Sequence, residues 1–451
     1  MKNIVLMLML AIVTYASEIN RSLTLDESID ILKKQNLEIK AAALDEKSAK
    51  EEAKTVDAKS WGKLDFIQDV ARSDDAGNVF GFTLTSREAT FGNFGFSEFD
   101  ATNPNILNVQ PKDLNYPDDR NFFQSKLKYE VPLFTGFALS SYSEIMSDMS
   151  RLKSLEKEKV INEKIYQLRK SYYNMALLRD STKNLRKILS NIEVLENMTK
   201  SMIDVGYAKH IDLLEVKAKK GNVERLLTQM ESNKKLLYHY ISFLLNTKVT
   251  DIATPSSEVA MPSYSDEEIL AQNIDIQKAG TGLEIRRNIL QANKAKYYPT
   301  VGAFGEVATA DDTFLGDASD HLSYTVGARL TWNLFNGGAD SAAIEKAKIE
   351  HMKMSSQVEL AKSGIALKLA KIRTEITSAE SEIDSLKKEL EFADAIYKNY
   401  EGRYKEKLSS MSDVIIKQSA QIEKILQLQV AKNKRNEKIF ELEKLANGGL
   451  Q

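Results

Sequence analysis

The chain has 451 residues, 43% of them apolar and 28% charged, with a formal net charge of −2. This balance excludes the basic footprint of a nucleic-acid binder, and only 7 prolines and 20 glycines leave little punctuation, so long regular elements are expected rather than several small linked domains. The absence of Cys excludes a thiol nucleophile, a Cys-dependent metal site and a lipidated N-terminal Cys.

In chain order, MKNIVLMLMLAIVTYAS has a basic start at Lys2, an apolar core from Ile4 to Val13 and a small residue at Ala16. That is the pattern of a secretory signal peptide over residues 1–16. The other reading, a membrane anchor, needs about 20 apolar residues, and this run is too short. No other stretch reaches 18 uninterrupted apolar residues, so a mature chain that spans a membrane must do so as a closed β-barrel.

The chain then repeats itself. Asn36 to Trp61 aligns with Asn273 to Tyr298 at an offset of 237, both helical in pattern and both ending on an aromatic. YEVPLFTGFAL (129–139) and LTWNLFNGGAD (330–340) pair at an offset of 201, which holds from Phe134/Phe335 to Asp212/Asp413, 78 residues without an insertion. The first copy carries a longer segment between its helix and its Leu-Phe-x-Gly, as exposed loops tolerate.

Before each Leu-Phe-x-Gly the period changes to two. Phe123, Leu127, Tyr129, Val131 and Leu133 alternate with polar residues in the first copy, as do Leu322 through Leu334 in the second, with partner strands near 63–72 and 300–309. A transmembrane barrel and a half-solvated β-sandwich both fit the alternation, and the signal peptide with the helical context favours the barrel. Four strands cannot close one, since about eight are needed, so the barrel reading requires oligomerisation.

After each Leu-Phe-x-Gly, apolar residues recur at steps of three and four (161, 165, 168, 172, 175 and on to 202, and less cleanly over 358–404), which marks one continuous helical face. A helix over 138–204 extends roughly 100 Å at about 1.5 Å per residue. Such charged helices pack as coiled coils. The pattern breaks at DVGYAKHIDLLEV (204–216) and YKEKLSSMSDVII (404–416), where Gly206 and the Ser-rich run supply turns. Asp212 and Asp413 read as N-caps or first-turn acids of the returning helices, and Tyr404 as a coiled-coil filler.

This pattern resembles the outer-membrane efflux protein family, the TolC-like channels. The resemblance rests on the duplication, the Leu-Phe-x-Gly crossings at Val131 to Phe137 and Trp332 to Gly338, the turn from Val205 to Leu214, and FGFTLTSREATFGNF followed by LNYPDDRNFF in the first loop. It implies a mainly α fold with a small β part: antiparallel coiled-coil helices forming a periplasmic α-barrel, and four strands per protomer of a trimeric 12-stranded outer-membrane β-barrel. It divides the chain into the signal peptide, a first repeat over 17–248 (helix 24–60, strands and extracellular loop 61–135, long helix 137–204, turn 205–211, return helix 212–246), an equatorial region over 249–268, and a second repeat over 269–451 (helix 267–297, strands 300–335, long helix 338–405, turn 406–412, return helix 413–447).

By the same resemblance the protein is a passive channel-tunnel of a tripartite efflux or type I secretion system in the cell outer membrane, with a long periplasmic extension. The alternative is an exported coiled-coil structural or adhesion protein without a pore. The implied partners are two further copies in a homotrimer, outer-membrane lipid, a periplasmic adaptor (membrane fusion) protein, and an inner-membrane pump or ABC exporter. The implied gate residues are Asp413, Tyr404 and Asp212, and the adaptor-contacting tips are Val205, Gly206, Tyr207, Lys407, Leu408 and Ser409. Pro132, Gly136, Gly337 and Gly338 mark the strand-to-helix transitions. Ser409 stands where the family often has a basic residue and Ile416 where a second acid is expected, which argues against a double carboxylate ring. The four histidines (210, 239, 321, 351) read as lying in different elements, without the convergence that a metal or catalytic site needs. No phosphate loop or nucleophile elbow appears, so neither an enzyme nor a cofactor is expected.

Overall fold

The computed structural model describes residues 22–447 apart from 256, 257, 315, 317 and 318, so the signal peptide lies outside the described residues. The elements in order are α1 (Leu25–Gln35), α2 (Leu37–Ala58), β1 (Lys63–Ser73), α3 (Ala76–Thr85), α4 (Lys112–Asn115), β2 (Arg120–Phe134), α5 (Ala138–Asp204), α6 (His210–Leu245), α7 (Asp266–Gln272), α8 (Ile274–Lys294), β3 (Thr300–Asp311), β4 (Ser323–Thr331), α9 (Ala339–Lys405) and α10 (Met411–Leu445). They form two compact units, one of Met1–Lys47, Arg151–Gly282 and Ser355–Gln451, the other of Ser48–Ser150 and Leu283–Met354.

The first unit is helical. It holds most of the two long helices, α5 and α9, each uninterrupted for 67 residues, whose segments 138–150 and 339–354 belong to the second unit. Their apolar stripes feed several buried clusters. One joins Leu32, Leu168, Tyr172, Met175, Ile241 and Leu244, and another joins Ile269, Leu369, Ile376, Leu442 and Leu445. Leu168/Leu369, Met175/Ile376 and Leu244/Leu445 are each 201 positions apart, so the duplication reaches into the core. A third cluster packs Leu185, Ile192 and Leu195 of α5 and Val216 of α6 against Tyr397 and Tyr404 of α9 and Val414 of α10.

Two expected helices, 24–60 and 267–297, are each broken once, at Asn36 and at Asn273. The physical cause is the same in both. The backbone turns extended at that residue (ψ 128° and 124°), and the Asn side-chain carbonyl accepts the N–H groups of the next helix: Glu38 and Ile39 at 3.0 Å, Asp275 and Ile276 at 3.0 and 3.2 Å. A side chain that satisfies the orphan N–H groups of a helix start competes with continuing the previous helix. Each Asn amide then donates to a return helix, Asn36 Nδ2 to Leu244 O at 2.8 Å and Asn273 Nδ2 to Leu445 O at 3.1 Å. Thr24 and Ser265 open α1 and α7 with reciprocal capping boxes to Glu27 and Glu268.

The second unit holds one antiparallel sheet of order β1-β2-β3-β4. Its register places Lys63 opposite Glu130, Asp65 opposite Lys128, and Lys128 opposite Glu306. The other face carries Leu64, Phe66, Val70, Leu127, Tyr129, Val307, Tyr324, Val326 and Leu330, all exposed. Gln68 and Ser125 are polar residues on this apolar face, and they face each other in register and share a hydrogen bond of 2.6 Å. The alternation of Leu322 through Leu334 suggested a longer last strand. β4 covers only Ser323–Thr331, because its sole partner β3 begins at Thr300, opposite Thr331. The segment between β1 and β2 is no plain loop; it contains α3 and α4.

Candidate functional site

The two strand-to-helix crossings are built alike. Gly136 (φ +62°) and Phe137 (φ +71°) in the first copy match Gly337 (φ +70°) and Gly338 (φ +86°) in the second. All four residues therefore sit in the left-handed region, which costs an L-residue roughly 1–2 kcal/mol and glycine little. At Gly136 space is also closed, since a Cβ there would lie 2.6 Å from the Ala295 carbonyl oxygen, whereas Gly337 has open space. Phe137 is held by edge-on contacts with Phe134 and Tyr298, at 5.3 and 5.8 Å between ring centroids. Pro132, which has no N–H to give the ladder, stands at the register shift between β2 and β3. Thr135 Oγ1 and Asn336 Oδ1, also 201 positions apart, accept from Leu139 and Asp340 N–H and so start the long helices.

The hairpin turns at the other end of the long helices are likewise paired. After α5, Gly206 (φ +78°) donates to Ile203 O at 3.0 Å and Tyr207 N–H to Met202 O at 2.8 Å. After α9, Lys407 (φ +66°) donates to Tyr404 O at 3.0 Å and Leu408 N–H to Arg403 O at 2.7 Å. These are two Schellman endings, one with the glycine that such an ending favours and one with lysine in its place. Val205, Tyr207 and Leu408 are exposed. Ser409, the departure from a basic residue, donates to Tyr400 O at 3.3 Å.

Asp413 sits at the third position of α10 and accepts from Ser410 N–H at 3.1 Å and Ser410 Oγ–H at 2.7 Å, while Asp413 N–H donates to Ser410 Oγ. The Ser410 hydroxyl and backbone N–H bound to its carboxylate hold that group below the ordinary Asp value. Asp212 accepts from Lys209 N–H at 2.7 Å in the same position of α6. Both acids are therefore cap residues in this chain. Ile416, one turn after Asp413, is exposed.

Tyr404 faces inward. It is 5% exposed, packs in the cluster with Tyr397 and Val414, and its hydroxyl lies 3.4 Å from Thr199 Oγ1; burial pushes its phenol up. The two turns also touch each other: Lys407 Nζ sits 3.5 Å above the Tyr207 ring, and Ser412 Oγ donates to Glu215 at 2.6 Å.

Asn36 and Asn273, which begin the alignment at an offset of 237, anchor the short helices to the return helices, and no periodicity marks them. Of the histidines, His210 opens α6 and His239 lies further along the same helix, so these two share an element, contrary to expectation.

Comparison with solved structures places this architecture among outer-membrane channels. The fold matches a structure of CusC (TM-score 0.79, 14% identity, 94% of this chain and 92% of that chain). It also matches the Vibrio cholerae outer membrane protein VceC (0.78, 13%, 95% and 97%) and the open state of the Neisseria gonorrhoeae MtrE outer membrane channel (0.76, 15%, 95% and 89%). Residues 267–448 match the family model described as outer membrane efflux protein, and the described chain shares the fold of these channel structures. No curated protein matches the sequence.

Proposed function

We propose that this chain is the protomer of a passive outer-membrane channel-tunnel, exporting substrates delivered from the periplasm or by an inner-membrane pump. The observation that carries the proposal is the sheet: one face is exposed and apolar, the other charged, and both of its edges, β1 and β4, are unpaired within the described chain. An apolar face of this extent is covered by something in the working molecule. Lipid on one side and water on the other satisfies both faces, and three copies pairing edge to edge supply the 12 strands of a closed barrel.

On this reading the four strands stand in the outer membrane, the long and return helices of the two repeats form the periplasmic extension with the equatorial segment between them, and Gly136, Gly337 and Gly338 mark where the chain passes from strand to helix. The hairpin turns at Val205, Gly206, Tyr207, Lys407, Leu408 and Ser409 meet a periplasmic adaptor, whose inner-membrane pump or ABC exporter supplies energy for efflux or type I secretion. Asp413 and Asp212 narrow the tunnel at these turns, one acid per hairpin, and Tyr404 supports them from within the core. The test is membrane fractionation with unboiled gels. The chain should sediment with outer membranes and run as a trimer that boiling converts to monomer; a soluble monomer in the periplasmic fraction rules the proposal out.

A further inference from the structure

Three separate segments meet at one end of the sheet: the turn after α3, the end of β3 and the residue that leads into β4. They bring Glu88, Asp311 and His321 together, with one ligand atom of each within 4.8 Å of the others. Asp311 is 8% exposed and the other two are half-buried. These residues play no part in the channel reading, and their positions in sequence gave no sign of convergence.

The surroundings match what a metal ligand set needs. His321 Nδ1 lies 3.0 Å from the carbonyl oxygen of Ala310, which can only accept, so in the neutral ring Nδ1 carries the proton and Nε2 keeps its lone pair. A carbonyl on the far ring nitrogen is the usual outer partner of a metal-bound imidazole, because it fixes tautomer and ring orientation. Asp311 is fixed in turn, with Oδ1 accepting from Asp312 N–H at 2.6 Å. Glu88 also accepts from the Arg120 guanidinium, which steadies it and neutralises one of the two carboxylate charges.

We propose that Glu88, Asp311 and His321 form a divalent transition-metal site that ties the α3 segment to the β3–β4 connection. One imidazole and two carboxylates suit Zn²⁺ and metals of similar ligand preference, and exclude the all-oxygen shell that Ca²⁺ and Mg²⁺ require. Three protein ligands leave a coordination position for water. Binding would couple to local order, since the ligands come from segments 223 positions apart.

The test uses the untagged full-length protein in detergent, stripped with chelator and titrated calorimetrically with Zn²⁺, with limited proteolysis of residues 74–119 as a second readout. Wild type should bind one Zn²⁺ per chain and become more resistant to cleavage in that segment. His321→Ala and Glu88→Gln should each weaken binding by at least about tenfold and abolish the protection, while His351→Ala leaves both unchanged. Unboiled gels confirm that each variant still assembles. Absence of stoichiometric Zn²⁺ binding in wild type, unchanged binding in a folded His321→Ala, or loss of binding in His351→Ala overturns the assignment.

Discussion

At the level of single residues the duplication acts as an internal control. Gly206 and Lys407 hold the same left-handed position in equivalent turns, and L-residues pay for that geometry. Gly206→Ala should therefore lower stability by about 1 kcal/mol, whereas Lys407→Gly should be neutral or gain roughly 0.5 kcal/mol, the strain relieved being partly offset by a more flexible unfolded chain and by the lost contact with Tyr207. Thermal unfolding of both variants checks the difference in sign. The crossings allow a similar comparison: Gly136→Ala should be the more damaging change, because it meets the Ala295 carbonyl, while Gly337→Ala meets only its own unfavourable φ.

Asp413 adds a pH dependence. Its folded value is depressed by the bonds from Ser410, so the folded state binds that proton less readily than the unfolded chain does. Its contribution is complete above the ordinary Asp value of about 3.9 and is lost as pH falls through the lower folded value. The unfolding temperatures of wild type and Asp413→Asn should therefore differ at neutral pH and converge as the solution is acidified below about pH 4. A gap that stays constant would deny the cap its charge dependence.

Among the elements, the asparagine breaks determine how the short helices meet the return helices. Asn36→Ala and Asn273→Ala each leave N–H groups at a helix start and a buried carbonyl, Leu244 O or Leu445 O, without their side-chain partner. Each should cost about 1–3 kcal/mol. Hydrogen exchange should speed up at Glu38 and Ile39 in the first variant and at Asp275 and Ile276 in the second.

The helices and strands themselves could be read from periodicity, because an apolar stripe every three to four residues and alternation by two are one-dimensional records of which side of an element is apolar. The breaks at Asn36 and Asn273 left no such record: a change of ψ at one residue keeps the apolar rhythm almost unaltered. The early end of β4 was hidden for a different reason, since the length of an edge strand is set by its partner and not by its own alternation. Tyr404 shows the same limit at the site. The sequence placed it near the turn, but whether it faced tunnel or core depended on how α5, α9 and α10 pack. The meeting of Glu88, Asp311 and His321 is wholly tertiary, and no spacing in the chain announces it.

For the molecule as a whole, a fold shared with outer-membrane channels and the match of residues 267–448 to the outer membrane efflux protein model leave conduction as the property to measure. The sheet has one exposed apolar face and one charged face; in the proposed channel the apolar face meets lipid, the long helices form the tunnel and the paired turns narrow it. The most direct test is reconstitution of the untagged full-length protein in planar lipid bilayers. Discrete conductance steps are expected from a reconstituted trimer, with Asp413→Asn changing step size or cation preference. A membrane-resident trimer that conducts no ions, even with its hairpin turns loosened by Gly206→Ala, would show that the chain is not a channel.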